Sequence, residues 1–502
     1  MKIFSAEQTR QWDQDTIAKE PISSLALMER ASTVFVEWWV EKYPIPVPIF
    51  IFCGTGNNGG DGLAVARLLS TRAYSVTVFF CRIGRLSEDC KANYNALSAL
   101  PEVVLKELAV GDSLPALNPA SLVIDALFGA GLNRPITGFW AELIDLINQS
   151  SIEISSIDIP SGMFLDQTSK GNAVVKAKHT LSFQTPKLAL LLPENYLYAK
   201  DWSFRSIGLD RSFSDDQASD YHFLTKGDVQ TWIKVRGKFD HKGTYGHALL
   251  VAGSYGKIGA AVLAARACLR SGVGLLSIHL PACGYSIMQS QVPEAMVETD
   301  SHFSFWTDAI PSDSYKAIGI GCGIGQDELT KVALMDLIEK ATCPLVLDAD
   351  ALNLLSLEQD KLDIIPHNTI ITPHPKEFQR LFGDTADDFA RLALLRERAV
   401  TLGIIIILKG AYTCIALPNG ACYFNSTGNP GMATGGSGDA LTGVLTGLLA
   451  QGYSPDKAAQ IGVFLHGLAG DLAAMEESEF SMLPSDLIMQ IGKAFFNLQL
   501  SD

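Results

Sequence analysis

The chain lacks the features that would place it in a membrane, on nucleic acid or outside the cell. No apolar run approaches the about 20 residues that a bilayer-spanning helix needs. The strongest, Ile49–Cys53 and Ile404–Leu408, fall far short. The first residues, Met1-Lys2-Ile3-Phe4-Ser5, show no basic stretch leading into an apolar core, so no signal peptide and no membrane partner are expected, and the expected setting is cytoplasmic. Positive charge is scarce: 39 Lys and Arg against 54 Asp and Glu leave a net charge of −15. Such a chain gains no general attraction to phosphate backbones, which argues against nucleic acid. Local anion binding by backbone N–H groups stays open, because those groups do not enter the charge count.

Paired cysteine motifs are absent as well. The nine cysteines (Cys53, Cys81, Cys90, Cys268, Cys283, Cys322, Cys343, Cys414 and Cys422) form no CxxC pair. Their odd number and apolar neighbours predict buried free thiols in a reducing compartment, not disulfides or zinc ligands. A hydrophobic fraction of 47% with 19% charged residues predicts folded domains with large cores instead of disorder. At 502 residues, two or three domains are expected.

What is present is a repeated alternation of short apolar runs and helical patterns. Residues 24–42 carry apolar positions at helical spacing, among them Leu25, Met28, Ala31, Val34, Phe35 and Trp38. Strands are predicted at Ile49–Cys53, Ser75–Cys81, Leu122–Ala126 and Ile154–Ile159, with a helix at Gly62–Ser70. The βαβ order implies a parallel sheet, whose ligands gather beyond the carboxyl ends of the strands. A polar stretch without periodicity, residues 210–222, reads as a connection. It predicts domains over 1–215 and 225–498. In the second, strands are expected at His247–Ala252, Leu275–His279, Ala317–Ile320, Leu345–Leu347, Thr369–Ile371 and Ile404–Leu408, and helices at Gly259–Ser271 and Asp439–Gln451.

The first glycine cluster is Gly54-Thr55-Gly56-Asn57-Asn58-Gly59-Gly60-Asp61-Gly62, between a strand and a helix. Its glycines predict tight turns with positive φ and exposed N–H groups, and the helix start favours a phosphate. Two further loops should reach the same edge, Asp125-Ala126-Leu127-Phe128-Gly129-Ala130-Gly131-Leu132 and Asp158-Ile159-Pro160-Ser161-Gly162. A carboxylate, a hydroxyl and loop carbonyls make an oxygen-only site suited to a hard cation. These three segments together resemble the NAD(P)H-hydrate epimerase domain, a Rossmann-like three-layer fold, over roughly residues 1–215. The resemblance implies that Asn57, Asn58, Gly59, Gly60, Asp61, Gly129, Ala130, Gly131, Leu132, Asn133, Arg134 and Pro135 hold the hydrated cofactor, with Asp158 beside it. It implies that Asn58, Asp125 and Ser161 hold K+. Asp158 is the expected acid or base at C6 of the hydrated ring.

The second cluster is denser. Asn429-Pro430-Gly431-Met432-Ala433-Thr434-Gly435-Gly436-Ser437-Gly438-Asp439 leads into an apolar helix. Backbone N–H groups of Gly436–Asp439 would face an anion at the helix start, and Asp439 stands where it can accept a proton from an attacking hydroxyl. Lys409-Gly410-Ala411-Tyr412-Thr413 follows a predicted strand, His374 lies between two prolines, and Asp348 and Asp350 end another strand, where they support magnesium or cap a helix. With Lys242–His247, Gly253-Ser254, Gly259–Ala261 and Gly321–Gly325, these segments resemble the ADP-dependent NAD(P)H-hydrate dehydratase, a ribokinase-like α/β fold. That resemblance implies that Ala260, Gly323, His374 and Asp439 meet the hydrate, and that Lys409, Gly410, Ala411, Tyr412, Thr413, Asn429, Gly435, Gly436, Ser437 and Gly438 meet the nucleotide. The chain departs from the family at Lys376, where Gly is usual, and at Ala440, where Val is usual.

The two resemblances imply a bifunctional repair enzyme acting on NADHX and NADPHX: the N-terminal domain epimerises the R and S hydrates, and the C-terminal domain dehydrates the S form with ADP and Mg2+, releasing AMP and phosphate. A homo-oligomer is expected. ADP as the donor is what the resemblance implies; no residue distinguishes ADP from ATP, or NADHX from NADPHX. A ribokinase-type small-molecule kinase is the rival for the second domain, and a nucleotide-sensing module the rival for the first.

Overall fold

A computed structural model describes residues 1–499. The chain divides into two compact units, one of residues 2–219 with 387–389, the other of Met1, 220–386 and 390–502. The stretch read as a connection holds a short helix, Arg211–Asp216, and a strand, Tyr221–Leu224. Its polarity comes from exposed positions on real elements, which a periodicity test over so few residues misses.

After a two-residue strand β1 (Lys2–Ile3), the first unit builds a parallel sheet from β2 (Ile49–Cys53), β3 (Val76–Cys81), β4 (Val104–Leu108), β5 (Leu122–Ala126), β6 (Ile154–Ile157), β7 (Ala177–Phe183) and β8 (Ala199–Arg205). Their spatial order is β4-β3-β2-β5-β6-β7-β8, and every pairing is parallel. The chain winds one way from β2 to β4 and the other way from β5 onward, so the order reverses between β2 and β5. That crevice is where open sheets of this kind take their ligands. Helices cover both faces: Ser24–Lys42 and Asn57–Ser70 pack on one through Phe35, Trp39, Leu63 and Leu69, and Phe139–Gln149 on the other through Leu143, Ile144 and Ile147. β2 reads as a continuous apolar run because it is covered on both sides.

The second unit repeats the principle with a different topology. Its strands are β9 (Tyr221–Leu224), β10 (His247–Val251), β11 (Leu275–Leu280), β12 (Met296–Thr299), β13 (Ala317–Ile320), β14 (Leu345–Leu347), β15 (Ile370–Ile371), β16 (Ile405–Leu408), β17 (Cys414–Ala416) and β18 (Cys422–Asn425). They run β9-β18-β17-β16-β15-β14-β13-β10-β11-β12. From β16 to β12 all pairings are parallel, while β16, β17 and β18 meander antiparallel. Here the winding reverses between β10 and β13. Val251, Ile320, Leu347, Ile371 and Ile406 stand in one row across five strands, so the loops that follow them open on one edge.

The helix Ser437–Ala450 is buried at every position from Ala440 to Ala450. It packs on the sheet alongside the helix Ile258–Arg270, and Gly443 lets the two helices close: a Cβ there would stand 2.1 Å from Ala264 O. Among the described residues one helix, Pro455–Glu477, is long and apolar enough to cross a membrane, but 72% of its apolar window is buried inside the fold.

Candidate active sites

In the first unit the helix begins at Asn57, inside the glycine cluster, with Gly56 as an extended N-cap. No glycine from Gly54 to Gly62 has positive φ, so the expected left-handed turns are absent. The glycines are there because side chains would not fit. A Cβ on Gly54 would lie 2.0 Å from Leu127 O, and one on Gly59 would lie 1.9 Å from Gly54 O. The β2 and β5 loops therefore touch backbone to backbone, and Gly129 packs directly on the Asn58 side chain.

That closeness gathers Asn58, Asp125 and Ser161 around Phe128. Asn58 Nδ2 and Ser161 Oγ both donate to Phe128 O, at 2.9 and 3.1 Å, and Phe128 N donates to Ser161 Oγ at 2.8 Å. Asp125 is fully buried; its Oδ2 accepts from Ser161 N and Ser156 Oγ, both at 2.8 Å. Burial pushes this carboxyl above the usual range, and the Ser161, Ser156 and Leu127 donors pull it back. Asn58 Oδ1 is buried with no protein donor. An orphaned amide oxygen beside a buried carboxylate and a shared carbonyl is a donor set that fits a monovalent cation.

Asp158 lies just past β6 in the left-handed region, at φ +65°. Its Oδ1 accepts from Phe183 N at 3.0 Å and Ser182 Oγ at 3.3 Å, and lies 3.6 Å from Lys187 Nζ. Lys187 is 2% exposed and donates to Phe183 O at 2.8 Å. Asp13 joins this group: burial pushes its carboxyl up to about 6, with Lys187 pulling down and Asp158 pushing up. Burial likewise holds Asp61 well above the usual carboxylate range, with Asp158 and Asp13 adding to the effect. Asp13 and Lys187 were not foreseen. A lone cation in the apolar run Pro186-Lys187-Leu188-Ala189-Leu190 was a usable signal; Asp13, on an ordinary polar helix, gave none. Gly129 opens the remaining predicted loop, which runs outward through exposed Gly131, Asn133, Arg134 and Pro135, with Ala130 and Leu132 half-buried.

In the second unit Gly436 caps the buried helix in the left-handed conformation, at φ 102° and ψ −16°. A side chain there would be strained and would strike Leu263. The turn leaves the helix start without a side-chain cap and sets Asp439 in its first turn, beside Cys322. Burial pushes the Asp439 carboxyl up to about 6; the Cys322 thiol lowers it, Asp348 raises it and Lys409 lowers it. Beneath Gly438, Lys409 Nζ donates to Asp348 Oδ1 at 2.8 Å, and Thr442 Oγ1 donates to Asp348 Oδ2 at 2.8 Å. A Cβ on Gly438 would lie 3.6 Å from Lys409 Nζ, so this cation underlies the glycine loop. Gly410, Ala411, Tyr412 and Thr413 continue from it, Thr413 Oγ1 accepting from Gly410 N at 3.2 Å.

Asn429 is tied down by Asp471: Asn429 Nδ2 and Gly428 N donate to its two carboxylate oxygens at 3.0 Å. His466 Nε2 donates to Ser437 O at 2.9 Å, and burial drives that imidazole down to about 4, so it stays neutral. Asp471 and His466 lie on a helix with no motif of their own, and nothing in the sequence pointed to them. Gly435 is exposed at the rim.

The residues expected at the hydrate lie on other loops of this unit. Gly323, at φ +67°, packs on Ala260 and Lys257, and Ser254 Oγ donates to Gly323 O at 2.7 Å. His374 caps the helix Pro375–Phe382: its Nδ1 accepts from Lys376 N and Glu377 N, leaving Nε2 3.3 Å from Glu377 Oε1. Lys409 N donates to Pro373 O at 3.0 Å, which joins the His374 loop to the Lys409–Thr413 loop. Lys376 is exposed in that first helical turn and Ala440 is buried. Asp350 begins a helix and binds Lys257 Nζ at 3.1 Å and Gly325 N at 2.9 Å. Asp348 and Asp350 are both engaged by protein donors, and among the described residues no cluster of three His, Cys, Asp or Glu side chains is placed to hold a metal.

Comparison with known proteins accords with this geometry. Residues 24–189 match the family described as YjeF-related protein N-terminus, and residues 248–493 the family described as NAD(P)H-hydrate dehydratase. The bifunctional NAD(P)H-hydrate repair enzyme Nnr of Moorella thermoacetica is 34% identical over 99% of this chain and 97% of its own length. Its namesake in Escherichia coli is 32% identical over 98% of this chain and 93% of its own. Among solved structures, the ADP/ATP-dependent NAD(P)H-hydrate dehydratase of Bacillus subtilis, co-crystallised with ATP and Mg2+, aligns with 56% of this chain and 100% of its own at TM-score 0.51 and 35% identity. A ribokinase-like superfamily protein of Enterococcus faecalis aligns with 57% of this chain and 99% of its own at TM-score 0.50 and 26% identity. With two such units in this order along nearly the whole length of its relatives, the chain belongs to the family of bifunctional NAD(P)H-hydrate repair enzymes.

Proposed function

We propose that the first unit interconverts the R and S hydrates of NADH and NADPH at C6, and that the second dehydrates the S form at the expense of ADP. The observation that carries this is Asp439, half-buried at the start of a helix that no side chain caps, above the Lys409–Asp348 pair. A hydroxide at C6 is a poor leaving group. Transfer of the terminal phosphoryl group of ADP to that oxygen, with Asp439 accepting its proton, releases AMP. Loss of phosphate from C6 and of a proton from C5 then restores the reduced nicotinamide. Lys409 and the first-turn N–H groups stabilise charge on the transferring oxygens. Mg2+ would arrive on the nucleotide phosphates, and we assign no residue to it.

In the first unit Asp158 is the group assigned to proton movement at the C6 oxygen, with Lys187 holding its carboxylate in place. The loops 57–61 and 129–135 hold the hydrate. Asn58, Asp125 and Ser161 hold K+, whose fixed charge would order the β5 loop and offset phosphate charge. The buried, unpaired Asn58 Oδ1 supports that assignment. Nine free thiols, seven of them buried, support a reducing cytoplasmic setting. Exposed Met475, Phe480, Leu483, Met489 and Phe496 support a homo-oligomer.

The test is to incubate the protein with mixed hydrate epimers and ADP, and to follow absorbance of the reduced nicotinamide. Complete conversion is expected. Accumulation of a stable phosphorylated product without restored absorbance would favour a kinase instead. Parallel runs with ATP settle the choice of donor.

A further inference from the structure

The hydrate is a dinucleotide, so only one of its two bases reacts. The loops named above hold the reacting ring at Gly323 and the phosphoryl donor toward β16. Across the sheet edge from Gly323, away from the donor, lie the loops after β10 and β12, about three strand spacings, or roughly 14 Å, from β13 to β12. Two large aromatic side chains stand there in the open. Tyr255 is 71% exposed and Phe303 is 61% exposed, with ring centroids 6.4 Å apart.

The loop that presents Phe303 is fastened unusually well. Asp300 is 3% exposed; its carboxylate accepts from His302 N, Thr307 N, Thr307 Oγ1 and Asp308 N, all at 2.8 to 2.9 Å, and pairs with His279 Nε2 at 3.0 Å. Trp306, 1% exposed, anchors the loop from inside. Tyr255 N donates to Ser304 O at 2.7 Å, which locks the two aromatic segments together. On either side of Tyr255, Ser254 binds Gly323 O, and Lys257 packs on Gly323 and reaches Asp350. Exposed aromatic rings on loops held this firmly beside the Gly323 loop are a preorganised stacking surface.

We propose that Tyr255 and Phe303 form the platform on which the adenine base of the dinucleotide hydrate stacks, with Lys257 passed by its diphosphate on the way. The assignment rests on the dehydratase function proposed above. The experiment compares the intact dinucleotide hydrate with hydrated reduced nicotinamide mononucleotide, which lacks the adenosine half, on wild type, Tyr255→Ala, Phe303→Ala and the double variant. Both side chains are mostly in solvent, so the substitutions leave the fold intact. For the dinucleotide, KM should rise about tenfold in the double variant, a loss in the range of one base–aromatic stack. For the mononucleotide, KM should match wild type, and KM for ADP should not move. Tyr255→Phe should behave as wild type. An unchanged KM for the dinucleotide sinks the platform, as does an equal rise for both hydrates. A drop in assembly size by sedimentation that accounts for the KM change also sinks it, since the rings would then cover a second copy. Absence of any turnover by wild type sinks the dehydratase reading, and the platform with it.

Discussion

Asp439 is poised between two demands: it must ionise to take a proton, and its burial resists ionisation. With its carboxyl pushed up to about 6, the active anion exists mainly above that pH. Dehydration should therefore be flat with pH well above 6 and fall tenfold per unit below it, as a pH–rate profile of kcat/KM would show. The same shift acts on stability. A carboxyl whose folded pKa lies above its unfolded value penalises the fold once ionised, so stability declines as pH rises from about 4 to about 6 and stays lower above. Asp439→Asn should lose dehydration, keep nucleotide binding, and melt higher than wild type at pH 7. Near pH 4 the two melting points should coincide. On the other unit, the unpaired Asn58 Oδ1 makes a separate prediction. K+ but not Na+ should raise the melting point of the wild-type N-terminal unit, and Asn58→Ala should abolish the difference.

Elements were easier to foresee than the reasons for them. The glycine cluster after β2 was visible as a site, but it was read through positive φ, whereas its helix starts at Asn57 and its glycines serve contact. Sequence shows that a side chain is missing; it does not show which backbone fills the space. Gly54→Ala should force the β2 and β5 loops apart, and Gly59→Ala should push the helix start off the Gly54 backbone, each costing about 3 kcal/mol in urea unfolding of this unit. The helix Pro375–Phe382 makes the converse point. His374 was placed at the hydrate, and its ring is also the N-cap. His374→Ala should lower stability by about 1 kcal/mol, and His374→Asn should restore most of that, since its oxygen can cap. Neither variant restores turnover if the ring also touches the hydrate, and measuring both quantities separates the two roles. The edge strands β8 and β12 escaped sequence reasoning because partial exposure breaks their apolar pattern, and the buried β17–β18 hairpin because its strands hold only three and four residues.

For the whole molecule, two α/β units were legible from strand and helix order, and both glycine-rich edges from composition. The partners that set their chemistry were not. Lys187, Asp13, Asp471 and the Asp348–Lys409 pair act across distances in sequence that no local pattern spans. Coupling the units in one chain also predicts a kinetic signature. With Asp158→Asn and mixed epimers, reduced nicotinamide should appear in two phases. The S fraction should convert at the wild-type rate, and the R fraction only as fast as it epimerises unaided.

The position of the helix Ser437–Ala450 bears on synthesis. It fills the centre of the second unit, against β10, β13 and the helix Ile258–Arg270, yet it follows those elements by more than a hundred residues. Until the ribosome has released it, the centre of one face of the parallel sheet, over β10, β13 and β14, lacks its cover. This unit should therefore stay protease-sensitive and chaperone-dependent through most of its translation, and gain protection in a single late step.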